Sequence, residues 1–207
     1  MTLVFAMIMT AAFAGNNGTA RQQLDRFTIG LETLQANFIQ TIRSPDGSIQ
    51  DQSQGEIWLS NPDRLRWVYS GEFPEVIVAD GTNIWIYDEV LEQVSVKPQS
   101  PDASDAPLMI LMDASRLDLQ FNVTEVGDYE GMQLLELRSR DPESEFERIL
   151  IGLGDAGIRM MTMEDAFGQR TELVFDDIAR NTGLDPVLFT FTPPEGVDVF
   201  GEISSVK

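Results

Sequence analysis

Between Thr19 and Thr33 the apolar residues Leu24, Phe27 and Leu31 recur at three- and four-residue steps, with Leu34 next in the series, which predicts one face of a helix. Thr19 stands where an N-cap belongs, and Gly30 marks an early end or a break. From Leu34 the period becomes two. Leu34, Ala36, Phe38 and Ile42 alternate against Gln35, Asn37 and Thr41, the pattern of a strand. Pro45-Asp46-Gly47 then predicts a turn, because Pro presets φ and Gly accepts a positive one.

Strand-like runs follow at short intervals: Gln54 to Leu59, Arg64 to Tyr69, Glu75 to Ala79, Asn83 to Tyr87 and Glu92 to Lys97. Gaps this short leave no room for helical crossovers, so the runs should pair antiparallel as a meander. Gln99 to Ser115 breaks the rhythm with Pro101, Asp102, Ser104, Asp105 and Pro107, followed by the apolar Leu108-Met109-Ile110-Leu111-Met112, which reads as a short helix or lid. Strands resume at Leu117 to Val126, Met132 to Ser139, Phe146 to Gly152, Ile158 to Glu164, Arg170 to Asp177 and Leu188 to Thr192. The sum is about eleven strands in one twisted, largely antiparallel sheet, an α+β chain that is mainly β.

A sheet with one wet face should alternate cleanly. Ile57-Trp58-Leu59, Trp67-Val68-Tyr69, Val76-Ile77-Val78 and Ile84-Trp85-Ile86-Tyr87 put apolar groups on both faces, so both faces need cover. A half-barrel with helices across its mouth would supply it, and so would a β-sandwich. Leu65, Trp67 and Tyr69 share one strand face and read either as core or as a ligand-facing stripe. Met109, Met112, Met160, Met161 and Met163 are either gap-fillers or an adaptable apolar lining.

Charge and composition narrow the chemistry. Thirty-four Asp and Glu against 14 Lys and Arg give a net charge of −20, the wrong sign for neutralising nucleic-acid phosphates or for adsorbing to an anionic bilayer. The chain has no Cys and no His, so thiolate chemistry, a Ser-His-Asp triad and His-ligated zinc are all excluded. A carboxylate hydrolase built on acids such as Asp80, Asp88, Glu164 and Asp165 remains an alternative. Residues Leu3 to Phe13 are almost wholly apolar and Ala12-Phe13-Ala14 resembles a secretory cleavage site, so residues 1–14 are expected to be a signal peptide and 15–207 a single soluble domain.

Several blocks resemble the outer-membrane lipoprotein carrier family (LolA type). They are Gly55-Glu56-Ile57-Trp58 through Pro62 to Trp67, then Asp80-Gly81-Thr82-Asn83-Ile84-Trp85-Ile86-Tyr87 with Gln93, and Phe189-Thr190-Phe191-Thr192-Pro193-Pro194-Glu195-Gly196. The resemblance runs from about Thr19 to Val199. It implies an incomplete antiparallel β-barrel with a helical lid over an apolar cavity. It further implies a monomeric, cofactor-free periplasmic carrier of triacylated lipoproteins that works between an inner-membrane releasing transporter and an outer-membrane acceptor where one exists. The lipid-binding residues expected on that basis are Leu24, Phe38, Leu65, Trp67, Tyr69, Met109, Leu111 and Met160; Asn61, Arg64, Leu108 and Ile110 belong to the lid or its contacts. Asn61 departs from the pattern. Familiar enterobacterial members carry there an arginine that holds the lid shut, and Asn lacks its reach and its fork of donors. Either Arg64 or Arg66 supplies a substitute, or the lid rests on packing alone. A lipid-sensing domain on the same scaffold is the nearest other reading.

Overall fold

The computed structural model describes residues 18–99 and 117–204. The expected signal peptide and the apolar insert, with Leu108, Met109, Ile110, Leu111 and Met112, lie outside the described residues.

Helix α1 (Ala20–Thr28) opens with the predicted cap. Thr19 Oγ1 accepts from Gln22 N while Gln22 Oε1 accepts from Thr19 N, a reciprocal box. Glu125 accepts from the next two donors, Ala20 N and Arg21 N, both at 3.0 Å, which places a carboxylate at the positive helix end and ties the helix to a strand far along the chain. The helix stops at Thr28 rather than continuing to Thr33. Ile29 has left helical geometry (ψ 121°) and Gly30 turns the chain at φ +64°.

The strands are β1 (Thr33–Arg43), β2 (Ile49–Ser60), β3 (Arg64–Ser70), β4 (Glu75–Ala79), β5 (Asn83–Asp88) and β6 (Gln93–Pro98), then β7 (Phe121–Tyr129), β8 (Met132–Ser139), β9 (Phe146–Gly154), β10 (Gly157–Asp165), β11 (Arg170–Arg180) and β12 (Asp198–Gly201). They form one 12-stranded sheet in the order β12-β6-β5-β4-β3-β2-β1-β11-β10-β9-β8-β7. Two meanders are thus joined along β1 and β11, from Leu34 opposite Arg180 to Arg43 opposite Arg170. Among the described residues β12 and β7 do not meet, so the barrel is open and the sandwich alternative falls. All pairs are antiparallel except β12 with β6.

Two segments differ from expectation. Leu117–Gln120 forms one helical turn, α2, before β7 starts at Phe121; Leu117 is buried and Asp118 pairs with Arg21 of α1 at 2.9 Å. Leu188 to Thr192 is no strand. Asp185 caps a 3₁₀ turn over Pro186–Phe189, and the strand of this region is the short β12 further on.

The cover of the two faces follows. One cluster joins Ala20, Leu24 and Phe27 of α1 to the inner residues of β1–β3 and β8–β11, such as Phe38, Ile57, Leu137, Ile151 and Met161. A second cluster on the other face comprises Val76, Val78, Trp85, Val94 and Val96 with Phe191 and Val197 laid across it. Phe191 stacks on Trp85 and Tyr87 with centroids 5.7 and 6.0 Å apart, and Arg66 donates to Leu188 O at 3.4 Å. The returning C-terminal segment, not a second sheet, covers the outer face of β3–β6.

Asn181 fastens the start of β1. At φ +54° its Oδ1 accepts from Glu32 N and Thr33 N while Nδ2 donates to Gly30 O at 2.8 Å. Asn181→Ala is expected to lose about 1–2 kcal/mol in urea unfolding, from the lost bonds and the left-handed backbone together. Asn181→Gly should recover part of that; a glycine variant no better than alanine would show that the backbone conformation contributes nothing.

Candidate lipid-binding site

The inner face of β1–β5 is built in rows set by the pairing register. Leu59, Leu65, Ala79 and Ile84 form one row, and Ala36, Ile57, Trp67, Ile77 and Ile86 the next. The third row holds Phe38, Gly55, Tyr69, Glu75 and Asp88, and beyond it Gln40 faces Ser53. Period-two alternation at these strands places all of them on one side.

Phe38, Trp67 and Tyr69 pack as a triangle of rings. Centroids lie 4.6 Å apart for Phe38–Trp67, 5.3 Å for Phe38–Tyr69 with the rings edge to face, and 5.8 Å for Trp67–Tyr69. The triangle exists because Gly55, opposite both Phe38 and Tyr69, leaves the Phe38 ring room to lie over β2. Helix α1 lies over β7–β10, where Leu135, Leu137, Ile151, Leu153 and Met161 are fully buried. Half-buried apolar side chains edge the same cluster on both sides, Tyr69, Ile77 and Ile86 on β3–β5 and Val123, Phe146 and Ile178 on β7, β9 and β11. The β3–β5 group lies on strands that α1 does not chiefly cover.

Of the residues predicted from sequence, Phe38, Leu65, Trp67 and Tyr69 meet here, and Leu24 lies above the same cluster on the underside of α1. Met160 does not. A bulge between Ile158 and Met160 adds a residue to β10 and turns Met160 to the outer face, beside Arg148, Thr162 and Glu164, while Met161 takes the inner position opposite Ile151 and Leu173. Ile77 and Ile86 belong to the face and were missed; their register against Trp67 could have shown it.

Asn61 Nδ2 donates to Leu31 O at 3.1 Å and its backbone N to Glu32 O at 2.8 Å, so it holds the link between α1 and β1. Arg64 stands exposed at the head of β3, and Arg66 is engaged with the C-terminal segment. The acids considered for hydrolysis do not converge. Asp80 takes Thr82 N, Asn83 N and the Trp85 indole N–H, each at 2.8 Å, which explains the Asp-Gly-x-x-x-Trp spacing. Asp88 and Asp165 cap their own turns, and Glu164 pairs with Arg148.

At the lower end of the face a cleft of about 670 Å³ opens between Gln40, Asp51, Ser53, Tyr69, Glu72, Phe73, Glu75 and Asp88. Burial, and then the charge of Glu75, push the Tyr69 hydroxyl up to about 12. Burial first, and Asp88 second, raise the Glu75 carboxyl above its ordinary 4.5. A carboxyl raised in the folded state binds its proton better folded than unfolded. Its ionisation therefore weakens folding above the folded pKa, and the penalty vanishes below 4.5. Glu75→Gln is expected to raise the urea midpoint at neutral pH and leave it unchanged below 4.5; an equal gain at both would remove the charge from the account.

An unclosed antiparallel half-barrel with a helix over one side of an apolar inner floor defines the class. The sequence family "Outer membrane lipoprotein carrier protein LolA" matches residues 30–192. The outer-membrane lipoprotein carrier protein of Xanthomonas campestris pv. campestris (strain B100) is 38% identical over 202 residues, 97% of this chain and 95% of that one. That of Dechloromonas aromatica (strain RCB) is 36% identical over 198 residues, 96% and 93% of the two chains. Among solved structures, an uncharacterized conserved protein from Thermus thermophilus superposes with a TM-score of 0.55 at 16% identity, over 87% of this chain and 98% of that one. The chain belongs to the LolA family of outer membrane lipoprotein carrier proteins.

Proposed function

We infer that this protein is a carrier that shields the acyl chains of lipoproteins on their way to the outer membrane. It works as a monomer in the periplasm, after removal of residues 1–14, taking triacylated cargo from an inner-membrane releasing transporter and passing it to the outer membrane, through an acceptor where one exists. The observation that carries this reading is the half-buried apolar surface of Tyr69, Ile77 and Ile86 on the inner face of an open sheet. Each CH₂ removed from water contributes about 0.8 kcal/mol, so bare acyl chains cannot cross an aqueous gap, and an inner apolar face that shelters them removes the obstacle. Delivery also needs release. A sheet with free edges holds its cargo by packing alone, with no covalent step and no cofactor.

The net charge of −20 keeps the empty carrier off anionic bilayers and favours docking to basic partners. The test is incubation of the full chain with a triacylated lipoprotein followed by native mass measurement. A soluble one-to-one complex is expected; lipoprotein that stays in micelles or vesicles would overturn the reading.

A further inference from the structure

The unbroken apolar row of the inner face ends at Ile86 on β5, but the pairing carries the same level two strands further. Ile86 stands opposite Ser95 of β6, and Ser95 opposite Phe200 of β12. Val94 and Val96 turn to the cluster on the outer face, so Ser95 between them faces inward. The ladder sends Phe200 inward with it and Val199 outward. The neighbouring levels become polar here, with Asp88, Gln93 and Asp198 on one side and Lys97, beside Ile84, on the other. Past Ile86 the apolar band is one residue deep, and after the small step at Ser95 an aromatic ring closes it.

Phe200 is 54% exposed, yet its strand is firmly held. Asp198 N donates to Glu92 O at 3.3 Å, and Glu202 N to Val96 O at 3.2 Å. Asn83, itself buried, grips the exit of the strand: its Nδ2 donates to Ser204 O at 3.2 Å and its Oδ1 accepts from Ser204 N at 2.8 Å. Gly201, at φ +112°, lets β12 come this near, since a Cβ there would run into the Val96 carbonyl oxygen. The fold thus fixes an exposed aromatic side chain at the margin of the apolar face, continuous with the surface that shelters cargo.

We propose that Phe200 is the far wall of the acyl-binding face and sets the length of chain that face shelters. An acyl chain of the cargo laid across the strands along Trp67, Ile77 and Ile86 passes over Ser95 and ends against the Phe200 ring. From Trp67 to Phe200 is four strand spacings, about 19 Å. A bilayer core two chains deep is about 30 Å thick, so a single chain of about 15 Å started at Trp67 brings its end to the ring, whereas one half as long stops short of β6. The inference deepens the carrier reading and rests on it.

The experiment gives the full chain a tripalmitoylated Cys-Ser-Ser peptide and its trioctanoylated counterpart, with affinities read by displacement of an environment-sensitive dye. Phe200→Ser is expected to weaken binding of the palmitoyl peptide about tenfold and to leave the octanoyl peptide within about twofold of the parent. Val199→Ser, on the outer face of the same strand, is the control and should change neither. In ¹⁹F spectra of the chain carrying 4-fluorophenylalanine, the resonance missing from Phe200→Leu should move with the palmitoyl peptide and hold still with the octanoyl one. Equal losses for both peptides in Phe200→Ser, or no loss for either, overturn the wall and leave the carrier reading standing. The same length-dependent loss in Val199→Ser overturns it too, because β12 would then act through the sheet rather than by contact. A Phe200 resonance that moves with protein concentration and not with peptide gives the edge to a second copy and also overturns it. A parent chain that binds neither peptide overturns both readings.

Discussion

Gly55→Ala is expected to lower the unfolding free energy by about 3 kcal/mol, a large penalty for one methyl group. Backbone freedom is not the reason. An added Cβ would run into the carbonyl oxygen of Val68, part of the β2–β3 pairing, and would sit 2.9 Å from Phe38 Cζ. Neither neighbour can give way cheaply. The carbonyl is held in the sheet, and the Phe38 ring, 2% exposed, is wedged between Trp67 and Tyr69. Urea unfolding with an unchanged slope would report the loss, and a cost below about 1 kcal/mol would show that β2 relaxes away from the ring. Any displacement of Phe38 also tilts Trp67, so cargo affinity should fall in the same variant.

Ile86→Glu should leave the fold in place and abolish uptake. Ile86 is half-buried at the end of the row Ile57, Trp67, Ile77, Ile86, so in the empty carrier a carboxylate there can still reach water. Acyl chains laid against the row would strip that water away, and burying an uncompensated charge costs several kcal/mol. Affinity for a triacylated peptide is expected to drop at least about 100-fold, near 3 kcal/mol, with circular dichroism and urea midpoint close to the parent's. Ile86→Met, which keeps the surface apolar, should bind like the parent. A glutamate variant that still formed the soluble complex would place the chains elsewhere.

The sequence was most legible where local chemistry decides. β4 and β8 have the bounds that alternation predicts, and Thr19 caps α1 as its position suggests. Asp80-Gly81 punctuates the chain between β4 and β5 because the carboxylate organises the turn itself. Legibility failed where pairing is distant. β12 is four exposed residues with no alternation of their own, held parallel to β6 about a hundred positions away. Leu188 to Thr192 has a strand's composition, but Asp185 and Pro186 impose a 3₁₀ turn, and Phe191 is used as a patch over Trp85 rather than as a ladder residue. The two-faced strands did announce a second cover; nothing local said that the C-terminal segment would return to provide it.

The site divides along the same line. Phe38, Leu65, Trp67 and Tyr69 were readable because a clean period of two keeps them on one face. Met160 was misplaced because the added residue in β10 is invisible in composition: Met160 and Met161 are adjacent and identical, and only the pairing of Met161 with Ile151 tells which looks inward. Asn61 was readable as a departure but not as a tether. Its amide reaches Leu31 O, a partner that depends on where the chain goes after α1.

A barrel whose last strand bonds to its first has a bore set by strand number and stagger. Here the first and last strands of the sheet do not meet among the described residues; one apolar cluster beneath the helix spans both meanders, and the returning tail packs only on the outer face of β3–β6. With no closing ladder between them, strand number and stagger do not fix its width, and the outermost strands can shift to suit a bulkier load without breaking a strand pair.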